Sequence, residues 1–346
     1  MFKKLLVAVG VLAALVVCAG LWAVQASNAR LAQTWPDVVG EDLPVPYPLS
    51  DAEVETLRSE LLASGKDHSG QELVPTTAED GTESMPDPLE GADLTAIALL
   101  RAKKRGAHLY NVRLACKECH GENLGGRMVV DAQPVWTWYA PNISKGGVTK
   151  DYTTADWDRI IRHGVKPDDT NATMPAIDYM ALSDQEISDI IAYATNMPAV
   201  NDVQPETTLG PVGRVLIASG KMPIAAELID HTATTLDAPP AMAINATYGQ
   251  HIAQPCVGCH RLEFEGGPIA AGPPDWPPAA NLTKAGNLKD WSEADFLTAM
   301  KTGVRPDGTN LDPVAMPWPI LGQLSELELR AMWSYLSTLE PVATGT

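Results

Sequence analysis

Cys116-Lys117-Glu118-Cys119-His120 recurs as Cys256-Val257-Gly258-Cys259-His260, and the flanking sequence recurs with it. Asn142-Ile143-Ser144-Lys145 matches Asn281-Leu282-Thr283-Lys284, and Gly164-Val165-Lys166-Pro167-Asp168 matches Gly303-Val304-Arg305-Pro306-Asp307, both at an offset of 139. Met174-Pro175 matches Met316-Pro317, and Leu182-Ser183 matches Leu324-Ser325, at an offset of 142. Gly106-Ala107-His108-Leu109 recurs as Gly249-Gln250-His251-Ile252. The body of the chain is therefore one module written twice, and any fold must place two copies of the same motif in equivalent surroundings.

C-x-x-C-H is the pattern of c-type haem attachment. Two thiols one helical turn apart can each add to a vinyl group of one haem, and the adjacent His reaches the iron. A four-cysteine zinc site or two disulfides would use C-x-x-C pairs as well, but neither explains the downstream repeats. Met-Pro follows the motif His by 54 residues in the first module (His120 to Met174) and by 56 in the second (His260 to Met316). A thioether binds both oxidation states of iron with little rearrangement and raises the potential relative to a second His. The candidate metal ligands are thus His120, Met174, His260 and Met316, and the candidate attachment residues Cys116, Cys119, Cys256 and Cys259. Met180, Met197, Met300 and Met332 fall in helical patterns and read as core. His163 has Thr302 as its counterpart, which favours a hydrogen-bonding or surface role. His108 and His251 read as helix-packing or propionate-contacting residues. Trp136, Trp138, Tyr139 and Trp276 would line a haem edge or fill core. Asn142 and Asn281 would bond propionates or hold a turn.

These residues resemble class I cytochromes c, and residues 95–346 as a whole resemble bacterial cytochromes built from two such domains. The resemblance implies an all-α fold. In each domain an amino-terminal helix precedes the attachment motif, and a carboxy-terminal helix of the type Leu-Ser-Asp-x-Glu-Ile closes over the haem. Leu182-Ser183-Asp184-Gln185-Glu186-Ile187 and Leu324-Ser325-Glu326-Leu327-Glu328-Leu329 fit that description. Ser183 and Ser325 would cap their helices, with Glu186 and Glu328 completing capping boxes. Ile187, Ile190, Ile191 and Ala194 mark the face that packs on the amino-terminal helix.

Before the modules, residues 5–24 are 20 consecutive apolar positions, long enough at about 1.5 Å per residue to cross roughly 30 Å of hydrocarbon. Lys3 and Lys4 place the amino end in the cytoplasm, and Trp22 anchors the far interface. A retained anchor is favoured over a cleaved signal peptide, whose apolar core is usually shorter; either exports the rest of the chain. Cys18 lies inside the run and follows bulky Val17, where a lipoprotein signal has a small residue.

The net charge of −18 argues against nucleic-acid binding, and it is unevenly spread. Residues 31–100 hold 15 acids against Arg58 and Lys66. Rich in Pro, with one clear helix starting at Ser50, this segment reads as a partly ordered spacer or as a docking site for a basic partner.

The expected organisation is an anchor (or signal peptide) at 1–30, an acidic Pro-rich spacer at 31–94, domain 1 at 95–200 and domain 2 at 247–346. The connection at 201–246 should carry helical pieces near 212–219 and 224–231 and pack across the domain interface. Two covalently bound haem c groups with no open iron position make an electron carrier, not an enzyme. It would be tethered as a single pass in the inner membrane, with its haem domains in the periplasm or otherwise on the extracytoplasmic side. Redox partners would be a quinol-oxidising complex, a dehydrogenase or a terminal oxidase. The alternatives are a cytochrome subunit of a larger oxidoreductase and a two-haem peroxidase, the latter disfavoured by the repeated Met-Pro.

Overall fold

The computed structural model describes residues 2–78, 80–269, 272–273 and 276–345. Helix α1 (Phe2–Leu31) is followed by α2 (Asp51–Ser64) and a small hairpin, β1 (Thr76–Thr77) and β2 (Glu83–Ser84). The first module comprises α3 (Leu94–His108), a π-helical turn Leu109–Arg113, α4 (Lys117–His120), β3 (Arg127–Ala132), β4 (Trp136–Ala140), α5 (Thr154–His163) and α6 (Asp184–Asn196). A connection with β5 (Thr208–Leu209), α7 (Pro211–Ala218) and α8 (Ala225–Leu228) leads to the second module. That module holds α9 (Ala246–Ala253), α10 (Val257–His260), α11 (Glu293–Thr302), α12 (Trp318–Leu321) and α13 (Glu326–Leu336).

Each module is closed by crossing its first and last helices. Asp93 caps α3 by accepting the Ala96 N–H at 3.0 Å, and Asn245 caps α9 by accepting that of Tyr248 at 2.8 Å. Ser183 and Ser325 cap α6 and α13 in complete capping boxes with Glu186 and Glu328. At the crossings the repeat supplies glycine. A Cβ on Gly106 would overlap the backbone of Asp189 and the Tyr193 side chain, and one on Gly249 would overlap Ala331 and Tyr335. Ile187, Ile190, Ile191 and Ala194 are buried with Leu109, Tyr110, Leu124 and Trp157 in the first core, as the face pattern anticipates. Tyr248, Ile252, Phe264, Phe296, Leu329 and Met332 form the second.

The fold is mostly helical, but all-α is only approximate. Strands β3, β4 and β5 make a three-stranded antiparallel sheet in which Trp136 opposes Leu209. Val135 and Trp136 are buried with Ile217 and Met222 around α7, and Val130, Trp138 and Leu209 of the sheet pack against that cluster. The tryptophans therefore fill a core between sheet and connection, Trp136 stacking on Trp138 at 5.2 Å.

Two segments differ from expectation. Residues 31–48 do not stand apart as a spacer; they are bound to the first module. Leu43 enters its core, Val38 packs on Val165, Trp35 donates to Asn171 Oδ1 at 2.8 Å, and the Pro44 carbonyl accepts from Ser188 at 2.6 Å. Apolar residues spaced among prolines suit an extended chain lying in a groove, where no periodic pattern is needed. The connection forms its two expected helices, yet it packs on the first module and on α1 instead of between modules. Arg214 donates to Asn28 Oδ1 at 2.8 Å, Arg30 pairs with Glu227, and the Asp184 N–H donates to the Leu236 carbonyl at 2.9 Å.

Candidate haem sites

In both modules the attachment motif is a single helical turn. The His120 N–H donates to the Cys116 carbonyl at 2.9 Å, which brings Cys116, Cys119 and His120 to one side of α4. A loop then returns the chain to the His. The Gly126 N–H donates to the His120 carbonyl at 2.9 Å, and the Gly266 N–H to that of His260 at 3.0 Å. Gly126 (φ 76°) and Gly266 (φ 65°) occupy the left-handed region, where a side chain is disfavoured.

The imidazoles are oriented by backbone carbonyls. His120 Nδ1 lies 2.9 Å from the Pro141 carbonyl and His260 Nδ1 2.7 Å from that of Ala280. A carbonyl can only accept, so Nδ1 carries the proton and the Nε2 lone pair is free for a metal. Burial lowers both histidines below their usual range despite these bonds, which favours the neutral ligand form. Asn142 and Asn281 hold the carbonyl-bearing turns. Asn142 Oδ1 accepts the Ser144 N–H and Asn281 Oδ1 that of Thr283, each at 2.9 Å. Their amides tie down the module tails, donating to the Val200 carbonyl at 2.7 Å and the Val342 carbonyl at 2.8 Å. Of the two roles open to these asparagines, the structure displays the turn.

Met174 packs against the same apolar core as Cys116, and Met316 against the same core as Cys256. No two of the five cysteines are joined in a disulfide. Burial pushes Cys116 and Cys256 up to about 12 and Cys119 and Cys259 up to about 11. Among the described residues, no three His, Cys, Asp or Glu side chains converge as a zinc site requires. Paired thiols, a neutral imidazole with Nε2 available and a thioether in one apolar core fit a covalently held haem, twice over.

His163 is no ligand candidate: its Nδ1 faces that of His231 at 3.1 Å. His108 and His251 do something that sequence reasoning missed, for they cross between modules. His108 Nε2 lies 2.7 Å from Glu328 Oε1, and His251 Nε2 lies 2.9 Å from Glu186 Oε2. Repeat-equivalent histidines thus contact repeat-equivalent capping glutamates in a reciprocal exchange. Arg113, from the π-helical turn peculiar to the first module, also pairs with Glu186 and donates to the His251 carbonyl at 3.3 Å. Burial alone would raise the Glu186 carboxyl. Arg113 and His251 outweigh it and hold the group well below the usual carboxylate range. Burial acts on Glu328 in the same way and is outweighed chiefly by His108.

Comparison with known proteins places cytochrome domains over both modules. Residues 101–193 match a family model described as cytochrome c oxidase, cbb3-type, subunit III, and residues 246–340 match one described as cytochrome c. The cytochrome c subunit of alcohol dehydrogenase (quinone) from Gluconobacter oxydans (strain 621H) is 30% identical over 105 residues, which is 28% of this chain and 22% of that protein. The chain therefore spans only about a fifth of that relative's length. Two such domains, each with its own attachment motif, imply two covalently bound haems and a role in electron transfer. The chain is a two-haem protein of the cytochrome c family.

Proposed function

We propose that this chain is a membrane-tethered electron carrier that passes electrons between redox proteins at the outer face of the membrane, as a subunit of, or a shuttle to, a dehydrogenase complex. Cys116 and Cys119 attach one haem and Cys256 and Cys259 the other. His120 with Met174 would hold one iron, and His260 with Met316 the other. Bound haem supplies an iron that changes oxidation state by one electron. The protein's part is to keep that change cheap in reorganisation. Pro141 and Ala280 carbonyls fix the imidazoles, the apolar cores exclude water, and the Met174 and Met316 thioethers would keep oxygen and substrate from the iron. The observation that carries this reading is the carbonyl-clamped His with a Met in its own core, present twice. The likeness to a dehydrogenase's cytochrome subunit favours a dehydrogenase as electron donor, and the exposed apolar part of α1 supports tethering.

The purified protein should hold two haems per chain, both low-spin when reduced. Met174→Ala or Met316→Ala should open one iron to carbon monoxide and abolish one low-spin signal. A variant in which both haems stay closed would show that the substituted Met is not a ligand. Copurification of a dehydrogenase from solubilised membranes tests the partner; a terminal oxidase recovered in its place would redirect the assignment.

A further inference from the structure

Asp178 sits where the two haem sites meet. It ends the short turn Ala176–Asp178, four residues beyond Met174, and that turn packs against the second module's attachment segment. A Cβ on Gly258, between Cys256 and Cys259, would overlap the Asp178 carboxylate, so this approach requires glycine. The next residue, Tyr179, looks the other way and donates from its hydroxyl to the Leu114 carbonyl at 3.4 Å, near Cys116. Two adjacent residues thus face the two attachment motifs.

Within this junction Asp178 Oδ1 is buried and accepts no hydrogen bond. Charged groups on the packed elements are engaged elsewhere. On α5, Arg162 pairs with Asp158 and Asp184, Arg159 with Asp169, and His163 with His231. Asp156, also on α5, closes the Thr153 cap. On α8, Glu227 pairs with Arg30. From the attachment segment come Cys256 and Cys259, neutral once joined to haem, and the imidazole of His260. Among the described residues, none of these cations lies against the carboxylate. Burial pushes its carboxyl up to about 8, against the opposing effect of the Gly258 backbone N–H.

We propose that Asp178 is a redox-linked proton site for the haem of the second module. This rests on the attachment reading given above. One electron from the redox donor takes that iron from ferric to ferrous, and one proton from solvent converts the Asp178 carboxylate to the acid. Reoxidation sends the electron to the acceptor and the proton back to solvent. The sense follows from electrostatics: added negative charge raises a nearby carboxyl's proton affinity. The potential of the second haem therefore falls as pH rises. As a whole the side chain is only half-buried, so the proton needs no path through the core. The repeat provides an internal control, because the residue four beyond Met316 is Ile320.

Spectroelectrochemical titration of the detergent-solubilised, two-haem protein between about pH 6 and 10 tests the proposal. One haem should shift its reduction equilibrium by up to about tenfold per pH unit around pH 8, and the other should stay flat. Asp178→Asn should flatten both while keeping two low-spin haems. Redox-difference infrared spectra should gain a protonated-carboxyl band on reduction that the variant lacks. A slope that survives in Asp178→Asn, or a wild-type protein flat at both haems, overturns the assignment. The double substitution Cys256→Ala, Cys259→Ala isolates the underlying reading: loss of one haem upholds it, and retention of both overturns it together with the proposal.

Discussion

At the residue scale the repeat works through a few positions with no tolerance for substitution. Gly106 and Gly249 let the first and last helices of each module touch backbone to backbone. Alanine at either should cost about 1–3 kcal/mol, and more if the crossing cannot open; chemical denaturation of the holoprotein would register it as a lower midpoint with an unchanged slope. Alanine at Gly10 or Gly20, where a Cβ meets nothing, should leave stability unchanged. The attachment motifs, the Met-Pro pairs and the recurrence of Gly106 as Gly249 were visible in the sequence because duplication marks them twice, but that the glycines lie at helix crossings was not. Asp178 and Arg113 were not, since each lacks a counterpart: Ile320 stands opposite the one, and the three-residue insertion before Cys116 creates the other.

Among the elements, the helix caps of α6 and α13 do double service. Glu186 and Glu328 close their own capping boxes and also receive a His from the other module. A capping box is legible locally; a contact between residues 220 apart is not, because nothing in the Ser-x-x-Glu pattern names its second partner. The acid dependence can be worked out from the depressed Glu186 carboxyl. A carboxyl whose folded value lies below its unfolded one stabilises fully above the ordinary carboxylate range and loses that contribution as pH falls toward the folded value. The junction should therefore loosen below about pH 4.5. Glu186→Gln should lower stability at pH 7 by roughly 3–5 kcal/mol, since it leaves Arg113 buried without its charge partner. The variant should also flatten the acid limb of melting temperature against pH. An acid limb identical to the wild type would remove Glu186 from this role. The small sheet escaped the sequence reading for a related reason: β3, Arg127-Met128-Val129-Val130-Asp131-Ala132, and β4, Trp136-Thr137-Trp138-Tyr139-Ala140, carry no clean period-two alternation, and the third strand, β5, lies some 70 residues downstream.

For the whole molecule, α1 runs unbroken from Phe2 to Leu31, and its last turns lie on α7 with Ala23 and Ser27 buried. Once the other four cysteines are joined to haem, Cys18 is the sole remaining thiol, exposed on α1 within the apolar run. In intact vesicles it should resist a polar maleimide and react with a lipid-soluble one, and detergent that strips the lipid should expose it to both. Labelling by the polar reagent in sealed vesicles would show that residues 5–24 do not span the bilayer. Arg30–Glu227 and Arg214–Asn28 tie that helix to the connection, which itself packs on the first module, and the exchanged histidines tie the modules to each other. Such a molecule is a post, not a leash: about 45 Å of helix, of which a bilayer would cover some 30 Å, sets the height at which its upper part is held. In the tethered arrangement proposed above, meetings with other proteins become a matter of sideways drift in the plane of the lipid, and an encounter succeeds only for a surface presented at that one altitude.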